Sequence, residues 1–385
     1  MNLNYHKMKF LRLAFYVLIA QLVLSGCAGE GVEETSSSSA SEINFDAYVG
    51  RNASTRSSIT DIKFLQGSVW NAGFGVFARY GNTHLMDTEH VTWRVDHWGY
   101  DHIRFWPSSG TVDFYAFAPY SPPVTMGKLR DDLADKLVDK THSKDETYID
   151  FPSNMSPIDL VWAKQPNQTA PTSPDSKVQF QFKHALARLG FDITANQQLE
   201  EKGAVITVDK VILYGANETS GIFLMGGYLN LNTGNWVPYD VTYDNKSIRW
   251  FYTWTKDGKV DGKDETLDEQ QKKGPIYKLS APPQLDHDHD KVTNHDDSYI
   301  FIIPQKKPDF FNLKITYTVE QGKFKEDVTV TKNLLDVLPG DSDPYFVGGK
   351  AYTFHFKLSL DPVNFKVTTT VGNWIGDVVN DEITI

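Results

Sequence analysis

Cysteine is nearly absent from this chain. Cys27 is the only one among 385 residues, so no intramolecular disulfide can form and the fold depends on its hydrophobic core. Long hydrophobic runs are also lacking, because the apolar run from Leu13 to Leu24 is too short to span a bilayer as a helix. Basic residues are outnumbered by acidic ones, 38 to 49, which gives a net charge of −11. A net negative chain is not expected to bind nucleic acid or to adsorb directly on an anionic membrane surface.

The start of the chain has the pattern of an export signal. Basic residues precede the apolar run, and Leu24-Ser25-Gly26-Cys27 closes it. This order predicts a signal peptide over residues 1–26. The closing residues resemble the lipobox of bacterial lipoproteins, which implies that Cys27 is acylated and that the precursor is anchored in the outer membrane through lipid. The alternative is an ordinary signal peptide that happens to contain a cysteine.

Alternation of apolar and polar residues dominates the rest of the chain. Val178, Phe180 and Phe182 alternate with polar residues, and the same period recurs at 313–319 and 352–358. A period of two is typical of strands with one buried face. Many such segments, separated by Gly, Pro, Asn and Asp, predict an all-β fold of antiparallel sandwiches with at most short helices.

Composition divides the chain into segments. Residues 27–42 are rich in Ser and Gly and predict a flexible tether. Residues 165–177 contain three prolines among Thr, Ser and Asn, which predicts a break between domains. We therefore expect an N-terminal β-sandwich over 43–165 and a C-terminal β-sandwich over 177–385.

Several short segments occur in a fixed order along the first half. They are Ile43-Asn44-Phe45-Asp46-Ala47-Tyr48-Val49, Thr55-Arg56-Ser57-Ser58, Gly73-Phe74-Gly75-Val76-Phe77-Ala78, Phe114-Tyr115-Ala116-Phe117-Ala118-Pro119 and Phe182-Lys183-His184-Ala185-Leu186-Ala187-Arg188-Leu189. As an ordered set they resemble the fimbrillin-like proteins of Bacteroidales, the subunits of type V pili. The resemblance implies two transthyretin-like sandwich domains in tandem and a structural rather than an enzymatic role.

The resemblance also implies maturation by an arginine-specific surface protease. The candidate cleavage sites are Arg56, which lies between two apolar segments, and Arg51. Cleavage would release the lipid together with the first strand, and a strand of a neighbouring subunit would then fill the groove by β-augmentation. The removable strand has alternating residues on one face: Ile43, Phe45, Ala47 and Val49. If neither arginine is cut, the strand stays in place, as would suit an anchor-like subunit or a stationary lipoprotein.

The C-terminal segment is a candidate for the donated strand. It contains four aliphatic residues: Val378, Val379, Ile383 and Ile385. The segment could be donated to a neighbour or could form the last strand of its own domain. The Asn380-Asp381 pair would interrupt either strand. Stalk, tip and accessory roles in an extracellular fimbrium therefore all remain open.

A search for chemistry finds little. His287, His289 and His295 lie among aspartates and are weak candidates for metal ligands, but their spacing matches no known ligand pattern, so a solvated loop is expected. No catalytic motif is present, and neither a cofactor nor an enzymatic activity is expected. The Trp and His residues between Trp93 and Trp106 could stack on a glycan or contact a host protein, which would suit a non-polymerising surface lipoprotein. Their alternation favours core and hairpin positions instead.

Overall fold

The alternating segments fold as strands with one buried face. Across Val178–His184, every second side chain is buried and those between are exposed. The computed structural model describes residues 41–49, 60–120, 146–151, 158–173, 175–195, 203–218, 220–238, 242–243, 246–247, 249–255, 276–277, 300–338, 346–359, 366–373 and 381–383. The α-helix Ile62–Leu65 (α1) has four residues, and no helix in these ranges is long and apolar enough to cross a membrane. The all-β prediction is confirmed.

The first half of the chain builds a seven-stranded sheet. Its strand order is β1-β8-β7-β5-β2-β3-β4, and β1 runs parallel to β8 whereas the other neighbours are antiparallel. Its strands contribute to a core that includes Phe74, Phe114 and Phe180. The strands of this half are Phe45–Val49 (β1), Phe74–Tyr80 (β2), Thr83–Arg94 (β3), His97–Gly99 (β4), Val112–Ala118 (β5), Tyr148–Phe151 (β6), Val161–Gln168 (β7) and Val178–His184 (β8).

One strand lies on the other side of the expected domain boundary. β8 was expected to open the C-terminal domain, but it pairs with β7 and β1 in the first sheet. β7 also continues to Gln168, past Pro166. The proline-rich stretch therefore includes the end of β7 and the β7–β8 connection, which is a place where proline is tolerated.

The second half of the chain forms a two-layer sandwich. One layer has the order β18-β9-β21-β22-β23, and the other has the order β11-β16-β10-β19-β20, with β17 beside β16. Leu213, Tyr317 and Phe354 belong to the core between the layers. The pairs β9–β21 and β16–β17 are parallel, so the sheets are not wholly antiparallel as expected. The strands are Ala187–Ala195 (β9), Val205–Tyr214 (β10), Phe223–Leu224 (β11), Gly227–Asn230 (β12), Trp236–Pro238 (β13), Thr242–Tyr243 (β14), Lys246–Ser247 (β15), Arg249–Thr255 (β16), Ile276–Tyr277 (β17), Ile300–Ile302 (β18), Asn312–Gln321 (β19), Phe324–Asn333 (β20), Lys350–Leu358 (β21), Lys366–Asn373 (β22) and Asp381–Ile383 (β23), and a 3-10 helix spans Leu335–Val337.

A third, small sheet joins the two halves. β6 of the first half pairs with β12 of the second, and β12 pairs in turn with β13. Around it, Phe117, Ile149, Leu229 and Phe301 form a common core. Residues 41–385 consequently form one compact unit rather than two independent sandwiches.

Candidate functional site

The first strand is held at both of its edges. Along its whole length β1 pairs with β8, in the register Phe45 to Val178 through Val49 to Phe182. Just before β1, the Ile43 amide donates to the Arg104 carbonyl over 2.9 Å. The segment 41–49 therefore bridges the β8 edge and the segment 104–106, and it is the piece that closes the first sheet around its core.

The inward face of this strand agrees with the alternation of the sequence. Ile43, Phe45 and Val49 are buried, and Ala47 is half-buried against the same core. Tyr48 points the other way, with 52% of its surface exposed. The four positions that the sequence placed on one face thus share that face in the fold.

Phe45 lies in a cage of aromatic rings. Its centroid is between 5.6 and 6.5 Å from those of four others: Phe74, Tyr100, Phe114 and Phe180. The Phe180 ring is stacked on it, and the Phe74 and Phe114 rings meet it edge-on. Such offset and edge contacts are the favourable arrangements for aromatic pairs. Phe45 is therefore the main anchor of β1 in the core.

A buried tyrosine fixes the backbone of the strand. The Tyr100 hydroxyl donates to the Ile43 carbonyl over 2.8 Å and accepts from the Arg104 amide over 3.2 Å. Burial raises the pKa of this phenol, so it stays protonated and able to donate. No sequence motif marks Tyr100, because its partner lies 57 residues away.

The chain is also fixed at Thr60, the first described residue after 59. The Thr60 amide donates to Asp159 Oδ2 over 2.8 Å, and its hydroxyl donates to the Asp159 carbonyl over 2.6 Å. The other carboxylate oxygen of Asp159 is 2.9 Å from His184 Nδ1 at the end of β8, and both side chains are buried. Arg51 and Arg56 lie in 50–59, outside the described residues. No sequence motif marks this cluster, because its members come from three distant segments.

Comparison with known proteins places the chain in a family. The fimbrillin-like family model matches residues 55–374. The chain belongs to the fimbrillin-like family. It is a family of fimbrial structural and cell-adhesion proteins.

Two relatives illustrate the similarity of this fimbrillin-like chain. It is 33% identical over 124 residues to fimbrium subunit Fim1C of Phocaeicola vulgatus, a match that spans 29% of this chain and 31% of the relative's length. Its fold is similar to the crystal structure of a fimbrial protein from Bacteroides vulgatus, with a TM-score of 0.55 and 19% identity over 87% of this chain and 99% of that one.

The C-terminal tail of the fimbrillin-like chain is described only in part. Asp381–Ile383 forms β23 at the edge of the five-stranded sheet, where Ile383 pairs with Thr369 of β22. Val378, Val379 and Ile385 lie outside the described residues, as do the signal peptide with Cys27 and most of the tether. The described portion of the tail thus lies in the sheet of its own domain.

Two other predicted features have different outcomes. Trp98 and Trp106 are buried in the first core, and Trp93 packs against it with its ring 5.2 Å from that of Trp98, so these tryptophans occupy core positions. His287, His289 and His295 lie outside the described residues. Within the described ranges, no group of three or more His, Cys, Asp or Glu side chains could hold a metal ion.

A cleft opens where the seven-stranded first sheet meets the second half of the chain. Its volume is about 1390 Å³, and its lining includes the indoles of Trp162 and Trp236 with the cations Lys183, Arg249 and Lys306. None of the described residues that line it is Asp or Glu. The cleft is therefore positive although the chain as a whole is negative.

Proposed function

We propose that this chain is a fimbrial subunit that is exported as a lipoprotein, cut by an arginine-specific protease and assembled by donor-strand exchange. The observation that carries the proposal is the position of β1. This strand closes the first sheet and fills its core, and it directly precedes the stretch that contains both candidate arginines. One cut in that stretch would separate β1 from the rest of the fold.

Loss of residues 41–49 would leave a groove that must be refilled. The edge of β8 and the segment 104–106 would lose their backbone partners, and the cage around Phe45 would open to water. Unpaired edges and exposed apolar surface favour pairing with another strand. A neighbouring subunit's strand would supply both the hydrogen bonds and the apolar side chains.

The rest of the fold keeps its anchor after such a cut. Thr60 is bound to Asp159, and Asp159 is bound to His184 at the end of β8. These bonds do not involve β1, so they would still hold Thr60 after the cut. The lipid on Cys27 would leave with β1, and strand pairing would replace it as the attachment to the cell surface.

Mass spectrometry of fimbriae purified from cells tests the proposal. We expect the assembled subunit to begin at Ser57, or at Asn52 if Arg51 is used, and we expect Arg51→Ala combined with Arg56→Ala to abolish assembly. Arg130→Ala, which leaves both candidate sites intact, serves as the control. Lipid-modified Cys27 on every assembled molecule would contradict cleavage.

A second candidate function is suggested by the cleft. Its indoles and cations suit an anionic glycan, because aromatic faces stack on sugar rings and the cations attract acidic groups. We expect Lys183→Gln with Lys306→Gln to weaken binding of a sulfated oligosaccharide in calorimetry, whereas Lys332→Gln on the edge strand β20, outside the cleft lining, leaves it unchanged. Equal binding by all three proteins would exclude this function.

A further inference from the structure

The groove around β1 has a distinct requirement at each inward position. The Ile43 and Val49 positions are closed and suit aliphatic side chains, whereas the Ala47 position is half-open. The Phe45 position is the largest, and its walls are rings. A strand that replaces β1 must therefore bring an aromatic residue to the second of four alternating positions.

The Phe45 position cannot shrink to fit a smaller side chain. Phe74 comes from β2, Phe114 from β5 and Phe180 from β8, and Tyr100 follows β4. Backbone pairing holds β2, β5 and β8 in one sheet, so the rings of Phe74, Phe114 and Phe180 cannot close together when the central ring is missing. Packed interiors relax only partly around a void, and the void is costly.

The chain's own C-terminal segment does not meet this requirement. Val379, Asp381, Ile383 and Ile385 share one parity. In the direction of β1, with these four residues in the four positions, Asp381 falls at the Phe45 position and buries a carboxylate among rings, which is costly. In the reverse direction Asp381 falls at the Ala47 position and Ile383 underfills the aromatic site. The opposite parity turns Asn380 and Glu382 inward.

No shift along the tail supplies the missing ring. Residues 375–385 contain no aromatic residue, and the nearest one is Trp374. With Trp374 at the Phe45 position, Gly372 would have to enter the groove in either direction. Gly372 pairs with Ala351 inside the second sandwich, where β22 lies against β21. Bringing the indole into the groove would therefore dismantle part of the donor's own sheet.

We propose that the groove is completed by a strand from a different protein chain, with the pattern aliphatic, aromatic, small, aliphatic at alternating positions, and not by the tail of a second copy. This inference rests on the proposed function, because it requires that β1 leaves. It makes the subunit one component of a mixed assembly and gives the chemistry by which its neighbour is selected.

Peptide exchange on the cut protein tests the inference. Residues 51–56 of the chain are replaced by the recognition site of an unrelated protease, and the folded chain is cut there. Fluorescent peptides then compete for the groove in mild urea: residues 41–49, the same peptide with Phe45→Ala, the tail 377–385, and that tail with Asp381→Phe. We expect the Phe45→Ala and tail peptides to bind at least about a hundredfold more weakly than 41–49, as an empty aromatic site requires. Asp381→Phe should recover most of the affinity of the tail.

The outcomes separate the inference from the proposed function. Equal binding of the tail and the 41–49 peptide would overturn the inference and leave strand exchange standing. If the labelled 41–49 peptide never replaces its unlabelled counterpart, strand exchange itself fails, and the inference fails with it. Tight binding of the Phe45→Ala peptide would show that the ring is not what the groove selects.

Discussion

The ring of Phe45 stacks on the ring of Phe180, with centroids 5.7 Å apart and planes 21° apart. The two residues are diagonal neighbours, because the backbone of Phe45 pairs with Val178 and that of Phe180 with Ala47. Diagonal contacts between large side chains fix the register of paired strands. The stacked pair therefore sets where β1 lies along β8 as well as how strongly it is held.

Replacing Phe45 should loosen the first sandwich. We expect Phe45→Ala to lower its free energy of unfolding by about 3–5 kcal/mol, the usual cost of emptying a buried aromatic site. Tyr48→Ala, on the exposed face of the same strand, should change it by less than about 0.5 kcal/mol. Hydrogen exchange of the β8 amides measures both effects locally. Equal protection in the two variants would mean that the ring does not hold the strand.

The Tyr100 hydroxyl should contribute through its two hydrogen bonds. Tyr100→Phe leaves the Ile43 carbonyl and the Arg104 amide without this partner, which should cost about 1–3 kcal/mol. Tyr80→Phe, at a residue of β2 that is 37% exposed, serves as the control. Chemical denaturation followed in the first sandwich gives the difference. If Tyr100→Phe lowers the free energy of unfolding no more than the control does, the Tyr100 hydroxyl does not stabilise the position of β1.

The Tyr100 hydroxyl should also make the free energy of unfolding decrease at alkaline pH. Burial raises the pKa of Tyr100 in the folded chain, so the folded state holds this proton more tightly than the unfolded state. Its contribution is fully present below the unfolded pKa of about 10 and is lost as pH rises through the folded pKa. The wild type should therefore lose stability more steeply above about pH 10 than Tyr100→Phe. If the free energy of unfolding falls equally with pH in the wild type and in Tyr100→Phe, this assignment is contradicted.

Removing the buried carboxylate of Asp159 should lower the free energy of unfolding more than removing an exposed carboxylate that makes a similar hydrogen bond. Asp159→Ala removes the acceptor of both the Thr60 amide and the His184 ring, and should cost about 3 kcal/mol. Asp113→Ala removes an exposed carboxylate that accepts from the Asn167 amide and should cost about 1 kcal/mol or less. Thermal unfolding compares the two variants. If their melting temperatures coincide, the cluster does not anchor the chain at Thr60.

Alanine substitutions at two glycines distinguish the destabilisation caused by a steric clash from that caused by backbone strain. Gly234 and Gly322 both have positive φ, at 83° and 61°, but a Cβ at Gly234 would lie 2.3 Å from the Trp162 ring whereas Gly322 has open space. Gly322→Ala should therefore cost about 1 kcal/mol, from strain alone. Gly234→Ala should cost clearly more and should loosen the β12–β13 hairpin, as measured by limited proteolysis. Similar losses would mean that the indole moves aside freely.

The sequence was sufficient for the strand class and for the inward face of β1. Alternation of side chains depends only on the local chain, so Ile43, Phe45, Ala47 and Val49 were correctly predicted to share a face. Alternation does not say which strand a segment pairs with. For that reason β8 was assigned to the wrong side of the boundary, and the prolines in the β7–β8 connection were read as a linker.

The polar contacts of the site could not be predicted. Tyr100 meets Ile43 across 57 residues, and Asp159 meets Thr60 across 99. No short motif encodes such pairs, because they depend on how the sheet closes. Alternation did not single out the buried tryptophans, because Trp98 and Trp106 are buried whereas the alternating residues Val95, Ile103 and Phe105 are exposed.

The small sheet that joins β6 to β12 has a mechanical consequence. A subunit within a fibre would be pulled along the fibre axis. Two sandwiches connected only by a loose linker would separate under that load. Here backbone hydrogen bonds from Tyr148–Phe151 to Gly227–Asn230 cross the junction, and a common apolar core surrounds them. A tensile load across the junction would therefore be shared between strands on both sides, and extension would first have to break these hydrogen bonds.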